Sequence, residues 1–171
     1  MKTFVLQAER FQLLFQIREL IWEQSLKDYY CTGTVSLRSP SLETRPAAER
    51  TASFPLNDLR SLVRSLRDHI SRLPVDPPTL DALVNGNPEP HIWVPLDLSL
   101  EVWLLPGERG IAGDGTDEGV FTLLVTIIIS EDHVRTGQRL QFGLESSIDI
   151  AEVFRFFRDV DEPLAQNRVR G

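Results

Sequence analysis

Cysteine is nearly absent from this chain. Cys31 is the only one, so no intrachain disulfide can form. A lone cysteine suits a reducing compartment. As a nucleophile it needs a histidine or a helix N-terminus close by. No local motif supplies either, and Cys31 reads as a buried structural residue. Histidine is also scarce. His69, His91 and His133 fall in three separate segments, with none of the close spacings of a local zinc site. Long apolar runs are missing too. The longest, residues 120–129, is ten residues with two threonines, against the ~20 apolar residues that a membrane helix requires. Residues 1–7 hold one positive charge and no extended apolar block, unlike a signal peptide. These shortages point to a cytoplasmic protein that spans no membrane.

The motifs of common chemistries are missing as well. Residues 107–119 are rich in glycine, yet they contain no lysine to reach a phosphate. A strand rather than a helix is predicted after them, which excludes both a phosphate loop and a dinucleotide fingerprint. Asp114, Thr116 and Glu118 have the spacing of a calcium loop, but the position that needs a bidentate carboxylate is Val125. No Gly-x-Ser-x-Gly elbow occurs. No segment singles out a pair of acids for acid–base work. The chain therefore reads as a non-enzyme, with no catalytic residue, no cofactor and no metal expected.

What the chain does have is apolar bulk and uneven charge. With 171 residues and 42% hydrophobic content it can bury one core and is short for two, which favours a single domain over residues 1–171. Residues 1–72 carry 11 basic against 8 acidic side chains, whereas residues 73–171 carry 7 against 17. An acidic second half repels phosphates, which argues against nucleic acid, and attracts a basic partner. Arg60, Arg64 and Arg67 lack interleaved aromatics and read as a solvated helix face.

Along the chain, residues 3–22 admit two readings. Phe11, Leu13, Phe15 and Ile17 alternate with polar residues as in a strand, while Phe11, Leu14, Phe15, Ile21 and Trp22 could form a helical stripe; the alternation favours a strand. Residues 29–37 form a second strand, in which Gly33 marks a bulge or a close approach. Residues 38–52 show no periodicity and read as a mobile loop. Leu59, Leu62, Val63, Leu66, Ile70 and Leu73 then define an amphipathic helix, with Asn57 as its expected N-cap and Pro74 as its stop.

Residues 74–91 are a proline-rich connector. One half-buried strand is expected over residues 92–105, a mobile hairpin loop over 106–119, a buried strand over 120–130 and a short strand over 139–144. Residues 146–149 open a second helix, whose buried stripe is Ile150, Val153, Phe154, Phe157 and Val160, with Phe156 off it. The tail, residues 165–171, is expected to fray. The order implies an α+β fold, an antiparallel sheet packed by two amphipathic helices.

In the 92–105 segment, Leu96, Leu98 and Leu100 share one face. Trp93 and Trp103, ten positions apart, share the other with Asp97 and Glu101. The bland alternative is that a helix covers the tryptophans. The functional one is an aromatic and acidic partner-binding surface, since tryptophan is enriched at interface hot spots. Residues 54–62, Phe-Pro-Leu-Asn-Asp-Leu-Arg-Ser-Leu, resemble the entry to the main helix of the WapI-type bacterial immunity proteins. Residues 94–102, Val-Pro-Leu-Asp-Leu-Ser-Leu-Glu-Val, are similar to that family's proline–acid–leucine strand. An apolar strand and a final helix led by Asp149 follow in the same order, so the resemblance covers about half the chain. It departs at the family's N-terminal tryptophan region and at loops 38–52 and 106–119.

The resemblance implies a small protein that neutralises a toxin domain and implies no catalytic residues. Composition and resemblance together predict a non-enzymatic binding protein that caps a basic partner through Trp93, Asp97, Glu101 and Trp103. Two other classes stay open. One is a ligand-binding or enzymatic α+β domain with a cleft where His91, His133 and acids converge. The other is a subunit of a larger assembly with an exposed apolar patch around Phe156.

Overall fold

The computed structural model describes residues 1–25, 27–39, 48–75, 90–95, 100–132 and 138–167. Among these, four strands run in succession: β1 (Lys2–Gln7), β2 (Gln12–Glu23), β3 (Asp28–Arg38) and β4 (Ala48–Pro55). Helix α1 (Leu56–Arg72) follows directly. Four more strands come next: β5 (His91–Trp93), β6 (Leu100–Ile111), β7 (Asp117–Asp132) and β8 (Gln138–Asp149). Helix α2 (Ile150–Asn167) closes the order. The class is α+β and every strand pairing is antiparallel, but there are two four-stranded sheets rather than one, ordered β1-β2-β3-β4 and β5-β6-β7-β8.

Each sheet is a meander that ends in a helix, so the chain runs through the same module twice. The registers match in detail. Phe4, Phe15, Val35 and Arg50 form one cross-strand row in the first sheet; Trp93, Val102, Val125 and Leu144 form its counterpart in the second. Both second strands are bulged at the same place, between Ile17 and Glu19 in β2 and between Leu104 and Gly107 in β6. A glycine serves each bulge. A Cβ on Gly33 would strike the carbonyl of Gln16, and one on Gly107 would strike the carbonyl of Val120, so both positions need bare backbone. The β6 bulge also accommodates Pro106, which has no N–H for a ladder.

The helices repeat as well. Leu56, Leu59, Leu62, Val63 and Leu66 of α1 and Ile150, Val153, Phe156, Phe157 and Val160 of α2 are buried at one constant offset. Arg67 and Asp161 stand at that same offset and form an ion pair with each other at 2.8 Å. Counterparts meet in this way beside an approximate two-fold axis. The Arg67 guanidinium also lies 4.8 Å from the ring centroid of Phe157. All ten elements place residues in one apolar core, which includes Phe11, Phe15, Leu62, Leu66, Phe121 and Phe156.

Several expectations are corrected. Residues 3–22 are strand, as the alternation favours, and divide into two strands joined by a turn in which the Ala8 N–H donates to the Phe11 carbonyl at 2.9 Å. Residues 48–52 belong to β4 rather than to the expected loop, and residues 40–47 lie outside the described ones. The 106–119 loop shrinks to a tip at residues 112–116, because Gly107–Ile111 pair with Asp117–Phe121.

The 92–105 strand divides in two, since β5 turns back to pair with β6. Pro55, not Asn57, is the N-cap residue of α1, and its side chain makes no cap. Asp28 performs that service from β3: its Oδ2 accepts the Asn57 N–H at 2.8 Å. Residues 146–149 finish β8 instead of opening α2, and Asp149 caps the helix by accepting the Ala151 N–H at 2.8 Å. The helix continues past Pro163 through the first residues of the expected frayed tail, while residues 168–171 lie outside the described ones.

In α2 the aromatic stripe is shifted from the expected one. Phe156 is fully buried, whereas Phe154 is 40% exposed. The α2 axis must serve β1, β7 and β8 together, which rotates the buried stripe one step from the sequence reading. Phe156→Ala should cost about 3–5 kcal/mol in urea unfolding. Phe154→Ala should cost less than about 1 kcal/mol. Equal losses would contradict this packing.

Candidate functional site

The four residues expected at the partner surface do not share a face. Trp93 points into the core, 6% exposed, opposite Val102. Its indole N–H donates to Ser61 Oγ of α1 at 2.6 Å, and Ser61 Oγ in turn donates to the Asp58 carbonyl at 2.9 Å. Trp93 is thus a core residue with its polar edge satisfied, the counterpart of Phe4. The reason is topological. Counting ten positions along one strand presumes no reversal, and the chain reverses between Trp93 and Leu100. Asp97 lies outside the described residues.

Trp103 and Glu101 do share a face, the one turned away from the core. Both are half-buried, and the Trp103 indole N–H points at Glu101 Oε2 at 3.4 Å. Trp103 lies between Ile92 on β5 and Leu124 on β7, and Leu124 pairs in turn with Glu145 on β8. The resulting row, Ile92–Trp103–Leu124–Glu145, crosses all four strands on the outer face. Ile92 is 44% exposed and Glu145 is exposed. Gly143, the outward neighbour of Glu145 on β8, adds no side chain, and half-buried Leu124 has its Cδ1 3.9 Å from where a Cβ on Gly143 would stand.

The first sheet supplies an internal comparison. Its equivalent outer row is Thr3–Gln16–Thr34–Thr51. The same backbone is therefore built with a wholly polar row in one module and an apolar row ending in a carboxylate in the other. Sequence reading missed Ile92, Leu124 and Glu145. One signal was available: residues 120–129 are apolar on both alternating faces, and a strand with one solvated face normally alternates.

The remaining candidates are engaged in structure. Cys31 is buried, and burial, followed by the negative charge of Asp28, pushes its thiol up to about 12, so it stays protonated at neutral pH. His69 is buried on α1 and donates its Nε2 proton to the Leu105 carbonyl at 3.0 Å. His91 Nε2 lies 3.2 Å from Ser65 Oγ, and His133 is outside the described residues. Among the described residues no cluster of histidine, cysteine and acids could hold a metal. Asp114 folds back on its own turn, accepting the Thr116 N–H at 3.0 Å and its hydroxyl at 2.6 Å. These two bonds hold its carboxyl below the usual range. The arginine stripe of α1 is partnered along its length: Arg60 with Asp28, Arg64 with Asn57, Arg67 with Asp161 and Arg72 with Asp68.

Two open hollows lie at the helix N-termini. One, of about 330 Å³, is lined by Lys27, Asp28, Asn57 and Arg60; the other, of about 360 Å³, by Glu9, Ser147, Asp149 and Glu152. At each helix the capping carboxylate of Asp28 or Asp149 already occupies a first-turn N–H. An anion from solution would therefore meet a negative charge. Among the described residues no helix is long and apolar enough to cross a membrane. Comparison with protein-family models, with curated proteins and with solved structures finds no match.

His69 gives the fold a pH dependence of known sign. Burial is the main cause that lowers its pKa, opposed by the Leu105 carbonyl and reinforced by Arg72 and His91. The folded state resists the proton that the unfolded chain accepts below about 6.5. Stability from this group is full above that value and falls as pH drops through it. His69→Gln keeps a donor for the carbonyl and removes the titration. Urea unfolding at neutral and mildly acidic pH should show a shallower loss for the variant than for the parent; identical losses would contradict this role.

Proposed function

We propose that this chain is a non-enzymatic binding protein that captures a basic protein partner on the outer face of its second sheet. An immunity protein that neutralises a toxin domain is the concrete form of this reading. The observation that carries it is the contrast between the two equivalent rows, Ile92–Trp103–Leu124–Glu145 and Thr3–Gln16–Thr34–Thr51. The first module folds with polar residues at these register positions, although Thr34 among them is buried. Tryptophan at the centre of a row with aliphatic neighbours is the composition of an interface hot spot. Glu101 and Glu145 flank it, and the excess of acids over residues 73–171 extends the same sign. A basic partner would be steered to such a face, and the apolar row would supply the desolvated centre.

The engaged state of Cys31, His69 and Asp114 supports the non-enzymatic part, because each is explained by packing or by a turn. The test is calorimetric titration against basic toxin domains encoded beside the gene. Trp103→Ala should weaken binding by 2 kcal/mol or more, roughly thirtyfold. Glu101→Lys and Glu145→Lys should slow association and reduce its salt dependence. Trp93→Phe should leave affinity unchanged, since Trp93 faces the core. Binding that survives Trp103→Ala and both charge reversals would overturn the proposal.

A further inference from the structure

Sheet edges need protection, because their free N–H and C=O groups can pair with another chain. Three of the four edges here are handled. Strand β5 is three residues long, and beyond it the Arg109 N–H of β6 donates to the Pro74 carbonyl at 2.9 Å. Strand β1 packs against α2, and β4 lies against β7. Strand β8 also meets α2, but the backbone groups along its edge are paired only at its end. There the Glu9 N–H donates to the Ser147 carbonyl at 2.9 Å, and the Arg10 N–H to Ser146 Oγ at 2.9 Å. Among the described residues, Gln138–Glu145 have no backbone partner on the side away from β7.

The direction of the Ser147 carbonyl fixes the rest. It points away from β7, so by alternation Glu145, Gly143, Gln141 and Arg139 also direct their N–H and C=O outward. The register shift between Ile128 and Ser130 adds its extra residue to β7 and leaves β8 regular. The open stretch is nearly self-complementary. Antiparallel pairing of β8 with itself about Phe142 places Glu145 opposite Arg139 and Gly143 opposite Gln141, all outward residues that can exchange hydrogen bonds. Two opposite-charge pairs result, one on each side of the centre. Phe142 meets Phe142 at the centre, where a non-hydrogen-bonded pair brings side chains closest. In the single chain Phe142 is only half-buried, packed at the margin of the core. Centring the pairing one residue further along, on Gly143, would set Glu145 against Gln141 and lose both charge pairs.

We propose that a second copy of this chain docks on β8, and that the two second sheets join into one continuous eight-stranded sheet about a two-fold axis at Phe142. Roughly eight backbone hydrogen bonds form across the seam. The turn that holds Glu9 limits the register, since it blocks pairing beyond Glu145. The two outer rows then lie on one face of the joined sheet. The dimer does not rest on the partner-binding reading and stands or falls separately from it.

Sedimentation velocity of the full chain over a range of concentrations tests it. The parent should dimerise. Glu145→Arg and Arg139→Glu should each raise the dissociation constant roughly tenfold or more, because each turns two attractive pairs into two repulsive ones. The double swap R139E/E145R should restore the dimer. Amide exchange at Gly143 and Glu145 should slow as concentration rises. A parent that stays monomeric, or a dimer indifferent to both single reversals, overturns the proposal. So does a double swap that remains dissociated while circular dichroism shows it folded.

Discussion

The burial of two helices into one shared core is the constraint on which the rest of this structure depends. Each meander presents one apolar face, and each helix one apolar stripe. Helix α1 lies against β3 and β4 of its own module and also against β5 and β6 of the other, while α2 lies against β7, β8 and β1. Neither module can bury its helix without the other. The ion pair between Arg67 and Asp161 marks where the two halves meet, but an exposed pair of this kind contributes little. The stripes themselves contribute most, since Leu59, Leu62, Leu66, Val153, Phe156 and Val160 are all fully buried.

That constraint assigns the inward positions, and the outward ones differ between the two sheets. In the first sheet the row of Thr3, Gln16 and Thr51 is polar, with Thr34 buried in it, and the neighbouring row on the same face includes buried Leu14 and Ser36. In the second the row holds Ile92, Trp103 and Leu124. The fold explains why Trp93 is large and apolar, because it fills the place that Phe4 fills in the first module, but it gives no reason for Trp103. Trp103 is half-buried on that face, with its indole N–H directed at Glu101.

Much of the fold was legible in the amino-acid pattern, and the failures have physical causes. The α1 stripe was readable because its spacing of three and four is unbroken from Leu59 to Ile70. The second helix was readable in place, yet two of its three phenylalanines were exchanged: Phe154 and Phe156 both border the apolar stripe, and only the tertiary position of α2 chooses between them. The N-cap of α1 was misplaced because the capping carboxylate, Asp28, is distant in sequence. The reversal between Trp93 and Leu100 was hidden by a continuous alternation of apolar and polar residues across the turn. The same alternation placed Glu101 and Trp103 on one face and put Trp93 there wrongly. The repeat of the whole module was invisible because the two halves share burial pattern and bulge position rather than residue identity.

Stability of the fold should not depend on the outer row of the second sheet. Urea unfolding of a chain carrying the row of the first sheet, with Ile92→Thr, Trp103→Gln, Leu124→Thr and Glu145→Thr together, measures it most directly. A stability within about 2 kcal/mol of the parent is expected, as for substitutions that leave every core position filled. A loss of the size produced by emptying a core position, about 3–5 kcal/mol for an aromatic residue, would show instead that the row belongs to the fold.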